Sequence, residues 1–175
     1  MKKIFLFIIL ISIVTSSSYS VKLSGENIPY DSTFRLGLVN GPGTGVSIGA
    51  DVFFPLEGVK LGADIEQQVT NSEFKQNLNI LKYALAMKYD INNDLYLTVY
   101  FGRAAFYITK TLDYIDSYSG GEYTIDEDTR GSATFWAISP HFKVGEYYLS
   151  PRIVANSIVE GGNILEVDIN IEHKF

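Results

Sequence analysis

The sequence predicts an all-β protein: an eight-stranded, antiparallel, up-and-down transmembrane β-barrel preceded by a cleavable signal peptide. Three observations carry that prediction. They are a short apolar leader, period-two alternation of apolar and polar residues through nearly all the rest, and a last strand that closes on an aromatic residue. Alternation places every second side chain on one face of a strand, whereas a helix needs a period near 3.6. The length, 175 residues, suits one domain. A charged fraction of 19% with 14% aromatics and 15 glycines argues against disorder and against a coiled coil. Without cysteine there is no disulfide, no thiolate zinc site, no cysteine nucleophile and no lipid attachment at a cysteine. The net charge of -6 makes nucleic acid an unsuitable partner, because phosphate binding needs a basic face.

The leader comes first. Lys2 and Lys3 supply a positive start, Ile4 to Val14 are unbroken apolar residues, and Thr15 to Ser20 are mostly small and polar. Eleven apolar residues suit a signal-peptide core and fall short of the ~20 that a spanning helix needs. Cleavage is expected after Ser20, which leaves 12 basic and 20 acidic residues, a charge of -8 over 155 residues. The expected organisation is a signal peptide at 1–20, a periplasmic lead at 21–30 and the barrel at 31–175.

The strands follow in order. Phe34, Leu36 and Leu38 alternate with Arg35 and Gly37, and a Gly/Pro turn over Asn40 to Gly45 ends the segment. Val46, Ile48, Ala50 and Val52 alternate with Ser47, Gly49 and Asp51. After Pro55 to Gly58 the pattern resumes with Val59, Leu61, Ala63 and Ile65 against Lys60, Gly62, Asp64 and Glu66. Leu81, Tyr83, Leu85, Met87 and Tyr89 alternate with Lys82, Ala84, Ala86 and Lys88, and a turn follows over Asp90 to Asp94. Leu95 to Lys110 is β-prone with large apolar groups on both faces, and a bulge near Gly102 would account for that. Trp136, Ile138, Phe142 and Val144 share a face before a turn at Gly145-Glu146; Tyr147, Leu149 and Ile153 continue opposite Ser150 and Arg152. Last, Leu165, Val167, Ile169 and Ile171 alternate with Glu166, Asp168, Asn170, Glu172 and Lys174.

Eight spans of about 11 residues use roughly 88 residues, which the chain supplies; a sixteen-stranded porin would need about 176. The connections alternate too. Those at Pro55 to Gly58, Ile91 to Asp94 and Gly145-Glu146 are short, whereas those at Asn71 to Gln76, Thr111 to Arg130 and Ser157 to Asn163 are longer; only Asn40 to Thr44 is short on the long-loop side. Short turns at one end and long loops at the other are the habit of membrane barrels.

The charges decide which face meets what. Arg35, Asp51, Lys60, Asp64, Glu66, Lys82, Lys88, Arg152, Glu166, Asp168, Glu172 and Lys174 all fall on the face opposite the apolar set, many near strand middles. In a membrane barrel that set lines the lumen, and the apolar set meets hydrocarbon with aromatics such as Phe34, Phe54, Tyr83, Tyr89 and Tyr147 toward the interfaces. Leu165, Val167, Ile169, Ile171 and the terminal Phe175 resemble the C-terminal insertion signal of bacterial outer-membrane barrels, with His173 departing from the pattern. Together with leader and strand count, the chain resembles small outer-membrane barrels of the OmpA-transmembrane-domain or OmpX type. The resemblance rests on architecture and not on a family-specific motif. It implies an outer-membrane location after export through the inner membrane. It also implies contact with the bilayer and lipopolysaccharide, and handling by the barrel-insertion machinery. No peptidoglycan-binding domain is expected after Phe175.

For chemistry the sequence offers three candidates. Ser139 and His141 put a hydroxyl and an imidazole on one strand face, the pair that lipid A-modifying barrels use, but near the periplasmic end and with no evident orienting acid. No enzyme activity, cofactor or metal is therefore expected. The inward charges are expected to form a salt-bridged plug, because an eight-stranded barrel is only wide enough for side chains to fill it; a narrow ion path is the alternative. The segment from Thr111 to Arg130 carries six acids and, before Arg130, no base, with Tyr114, Tyr118, Tyr123, Asp126 and Asp128 as candidate contacts for an extracellular ligand. Gly120 and Gly121 in its middle suggest two strands extended beyond the membrane and joined by a hairpin tip. A lipid-modifying enzyme and a soluble lipocalin-like carrier stand as further alternatives.

Overall fold

The computed structural model describes residues 20–23, 26–41, 43–72, 76–115, 122–158 and 162–175. Most of the leader, and Tyr118 of the acidic segment, lie outside them. A hairpin of β1 (Ser20–Leu23) and β2 (Glu26–Pro29) occupies the stretch read as a lead and forms its own two-stranded sheet.

The barrel strands are β3 (Asp31–Asn40), β4 (Thr44–Leu56), β5 (Val59–Ser72), β6 (Gln76–Asn92), β7 (Leu95–Ile115), β8 (Glu122–Val144), β9 (Tyr147–Ile158) and β10 (Gly162–Lys174). Each pairs antiparallel with its chain neighbour, and β10 closes on β3 through eight residue pairs from Val167↔Asn40 to Lys174↔Thr33. Closure removes both edges of the sheet. No helix appears among the described residues. The tight turns β4–β5, β6–β7 and β8–β9 share one end with the start of β3 and the end of β10. Gly58 and Gly145 take positive φ there, 78° and 67°, as tight hairpins require. The longer connections lie at the other end. These are called the turn end and the loop end below.

One expectation about the strands is corrected. No bulge occurs at Gly102: the register runs unbroken from Ala84↔Gly102 to Gly102↔Phe135, and the irregularity in the β6–β7 pair lies between Asp90 and Asn92. Glycine serves close approach instead, since a Cβ at 102 would sit 2.1 Å from the carbonyl oxygen of Tyr83. The even-numbered residues of β7 face inward, with Tyr96, Thr98 and Tyr100 buried and Phe101 exposed. Large groups occur on both faces because the lumen itself takes aromatics. The strand extension expected for the segment 111–130 is present: β7 and β8 continue through most of it as a projecting ribbon, paired from Thr111↔Asp126 to Ile115↔Glu122.

The β8–β9 seam has a gap. The ladder skips from Ile138↔Ile153 to Phe142↔Leu149 without changing register. Pro140 and Pro151 face each other there, and neither has an N–H to donate. The Ser139 hydroxyl donates to the Pro151 carbonyl at 3.1 Å and satisfies part of what the backbone leaves open. Ser139→Ala is expected to cost about 0.5–1.5 kcal/mol, read as an earlier midpoint in urea unfolding of the reconstituted barrel.

Candidate functional site

The inside of the barrel is a stack of charge, built because each strand points every second residue inward. At the turn end, Asp31 accepts from Lys60 at 2.6 Å and has Lys174 at 3.1 Å and Lys88 at 3.5 Å; Asp90 holds Lys60 from the other side at 2.8 Å. Lys60 and Lys174 are 24% and 34% exposed, so they form a rim and not part of the sealed interior. Lys88 is enclosed, its ammonium 3.9 Å from the centre of the Tyr96 ring.

Above the rim, Glu172 accepts from the hydroxyls of Tyr96 at 2.7 Å and Ser150 at 2.6 Å, and lies 2.8 Å from His141 Nδ1. The His141 ring stacks on Tyr96 with centroids 4.0 Å apart. An orienting acid for His141 therefore exists, contrary to the expectation; it was unreadable because thirty-one residues separate it from the imidazole. The imidazole is fully buried, and the Ser139 hydroxyl is engaged with the backbone. His173 sits on the outer face between Tyr147 and Phe175.

Higher still, Arg35 bridges Asp51 and Asp64, which face each other across β4 and β5. Like charges directly opposite destabilise a sheet pair, and a shared guanidinium removes that repulsion. Thr33 adds a hydrogen bond to Asp51 at 2.9 Å. Arg152 binds Asp168 through Nε at 2.9 Å, and its Nη2 contacts both Asp168 and Glu66. Glu66 is the junction of the stack, with Arg35 and Lys82 each 3.7 Å away in addition to Arg152. Arg35 and Arg152 also flank the Tyr100 ring, each 5.7 Å from its centre. Lys82 pairs with Glu166, and Gln68 donates to Glu66 at 2.8 Å and Glu166 at 2.9 Å. The side chains of Phe53 and Phe135 complete the filling.

Sequence reasoning missed the lumen aromatics Phe53, Tyr96, Tyr100 and Phe135 and the neutral donors Gln68 and Ser150. For β7 a signal existed: Tyr96, Thr98 and Tyr100 carry hydroxyls, whereas Leu95, Leu97, Val99 and Phe101 carry none.

The outer face is the converse. Large apolar side chains are exposed on every barrel strand from β3 to β10, among them Leu38, Val46, Leu61, Leu85, Phe101, Trp136, Ile153 and Ile169. Leu165, Val167, Ile169, Ile171 and Phe175 all belong to this outward set. On the projecting ribbon, Tyr114 faces Tyr123 and Asp126 faces Thr111 in the backbone register, and Thr109 donates to Asp128 at 3.2 Å. Among the described residues no cluster of His, Asp or Glu is arranged to hold a metal ion.

No family model matches the chain, and no curated protein matches it. Solved structures do. The N-terminal β-barrel domain of Pseudomonas aeruginosa OprF aligns over 83% of this chain and 97% of its own, with TM-score 0.51 and 12% identity. Ail, the attachment invasion locus protein of Yersinia pestis, aligns over 83% and 96% with TM-score 0.53 and 9% identity. A major outer membrane protein from Thermus thermophilus gives 83% and 99%, TM-score 0.58 and 10% identity. The fold is that of small outer-membrane β-barrels.

Proposed function

We propose that this chain, carrying the fold of small outer-membrane barrels, is a structural and surface-interaction protein of the bacterial outer membrane, with a closed lumen. The observation that carries the reading is the inversion of an ordinary protein: apolar groups on the exposed outer face, paired charges in the enclosed interior. Water would penalise that outer face, and hydrocarbon rewards it. Residues 1–20 serve export, the turn end faces the periplasm, and the C-terminal strand ending in Phe175 is what the insertion machinery reads. The charge stack acts as a plug because its cations are held by carboxylates on several strands and aromatics occupy the space between. His141 is a structural member of that stack, and no catalytic role is assigned to it. Contacts outside the cell fall to the ribbon of β7 and β8. Among the described residues, β8 from Glu122 to Ala133 has β7 as its sole ladder partner, so one edge offers its backbone to an added strand.

Two measurements test the reading. The exported protein is expected in the outer-membrane fraction, migrating differently on denaturing gels before and after boiling; a soluble fraction without that shift would refute the location. Purified protein in planar bilayers is expected to give no reproducible conductance steps at neutral pH. Steps of constant size would replace the plug by a narrow pore.

A further inference from the structure

The outer face of β7 and β8 carries two arginines that the lumen stack does not use. Its apolar belt ends in a row of aromatic or apolar residues on adjacent strands: Leu85 pairs with Phe101, and Phe101 with Trp136. The next outward rung is Tyr83, Arg103 and Thr134, and the switch from apolar to polar falls at the same rung on β7 and β8. Above it come Ala105 opposite Ser132, and then Tyr107 opposite Arg130. Arg103 and Arg130 are both exposed, and neither is ion-paired among the described residues. Arg103 leans toward the loop end, its guanidinium 3.0 Å from the Ser132 hydroxyl, and Arg130 lies over the Tyr107 ring at 5.3 Å. Same-face rungs are spaced by about 7 Å; Arg103 and Arg130 stand two rungs apart in the sheet, with the Ser132 hydroxyl on the rung between them. Neighbouring β6 presents neutral Leu81 and Asn79 beside them. The acid next to them on this face, Asp128, is a rung further out and bonded to Thr109, and in the backbone register Asp126, Asp113 and Glu122 follow beyond it.

A belt edge marked by Tyr83, Phe101 and Trp136 is where hydrocarbon gives way to headgroups. Uncompensated arginines at that depth face lipid headgroups, not water alone, and a guanidinium fork matches phosphate oxygens two at a time. We propose that Arg103 and Arg130, with the Ser132 hydroxyl, bind the phosphate of a phosphorylated glycolipid headgroup in the outer leaflet. The inference rests on the membrane reading above, with the loop end outward. It adds a defined lipid site on the barrel wall, separate from any ligand of the ribbon tip.

The test uses the full mature chain reconstituted into phosphatidylcholine vesicles, with Trp136 as a built-in reporter one rung below Arg103. Quenching of Trp136 by brominated acyl chains first establishes insertion; its absence would overturn the membrane reading and this site with it. Spin-labelled diphosphoryl lipid A is then titrated in. Saturable quenching is expected, weakened about tenfold for each of Arg103→Gln and Arg130→Gln and restored in part by Arg103→Lys. Lys143→Gln, at the opposite end, should leave the titration unchanged. Inserted protein whose quenching is unaltered in the double glutamine variant, or equal with dephosphorylated lipid, would overturn the site while leaving the barrel reading standing.

Discussion

Replacing Arg152 by methionine is expected to destabilise the folded barrel by about 3–5 kcal/mol, the cost of leaving buried carboxylates without their partner. Arg152 is fully enclosed and holds both Glu66 and Asp168. Removal of its guanidinium leaves Asp168 without that partner, and Glu66 with the Gln68 amide and, as cations, only the more distant Arg35 and Lys82. Urea unfolding in lipid vesicles, followed by Trp136 fluorescence, reads the loss as a lower midpoint. The triple change Arg152→Met, Glu66→Gln, Asp168→Asn is expected to recover most of it, since the penalty comes from unpaired charge and not from lost volume. Arg152→Lys should fall between, because an ammonium keeps the charge but cannot address two carboxylates as a planar fork does. If Arg152→Met unfolds at the wild-type midpoint, the lumen is wetter than the enclosed geometry implies.

Ile169→Arg is expected to cost about 2–4 kcal/mol, the price of a cation at the middle of a bilayer. Ile169 is 54% exposed near the centre of the outward row on β10. The same substitution on a water-facing strand would change stability by about 0.5 kcal/mol or less. The size of the effect thus separates a lipid-facing from a water-facing wall without reference to any homologue. Asn79→Arg, on the same face but beyond the belt, serves as the control and should be nearly neutral. A near-zero effect at both positions would place the outer face in water.

Much of this fold was legible because alternation is strict where lipid and lumen demand opposite chemistry. β10 is the clearest case: Leu165, Val167, Ile169 and Ile171 lie outward and Glu166, Asp168 and Glu172 inward, as their sequence order dictates. Strand number and the short-turn end followed from the same pattern. β7 was illegible for a physical reason. Its inward tyrosines look apolar to a periodicity count, yet Tyr96 donates to Glu172 and Tyr100 lies between two guanidiniums. Inward charges could be listed from the sequence, but their partners could not. Arg152 meets Glu66 across eighty-six positions, and Lys82 meets Glu166 across eighty-four. Such pairings depend on tilt and stagger around the closed barrel, which a strand-by-strand reading does not contain.

The facing prolines of the β8–β9 seam mean that the barrel wall is not equally stiff around its circumference. Everywhere else on that seam, neighbouring strands are laced rung by rung; between Ile138 and Phe142 the lacing is a serine hydroxyl and side-chain contact. A membrane under lateral tension, or one locally thinned, would strain the wall first at this compliant strip, below the arginine rung on the same strand. Deformation there would reach the lumen through Ser139 and His141, whose inward side chains flank Pro140. The wall thus has a preferred direction of give, set by two residues with no N–H to donate.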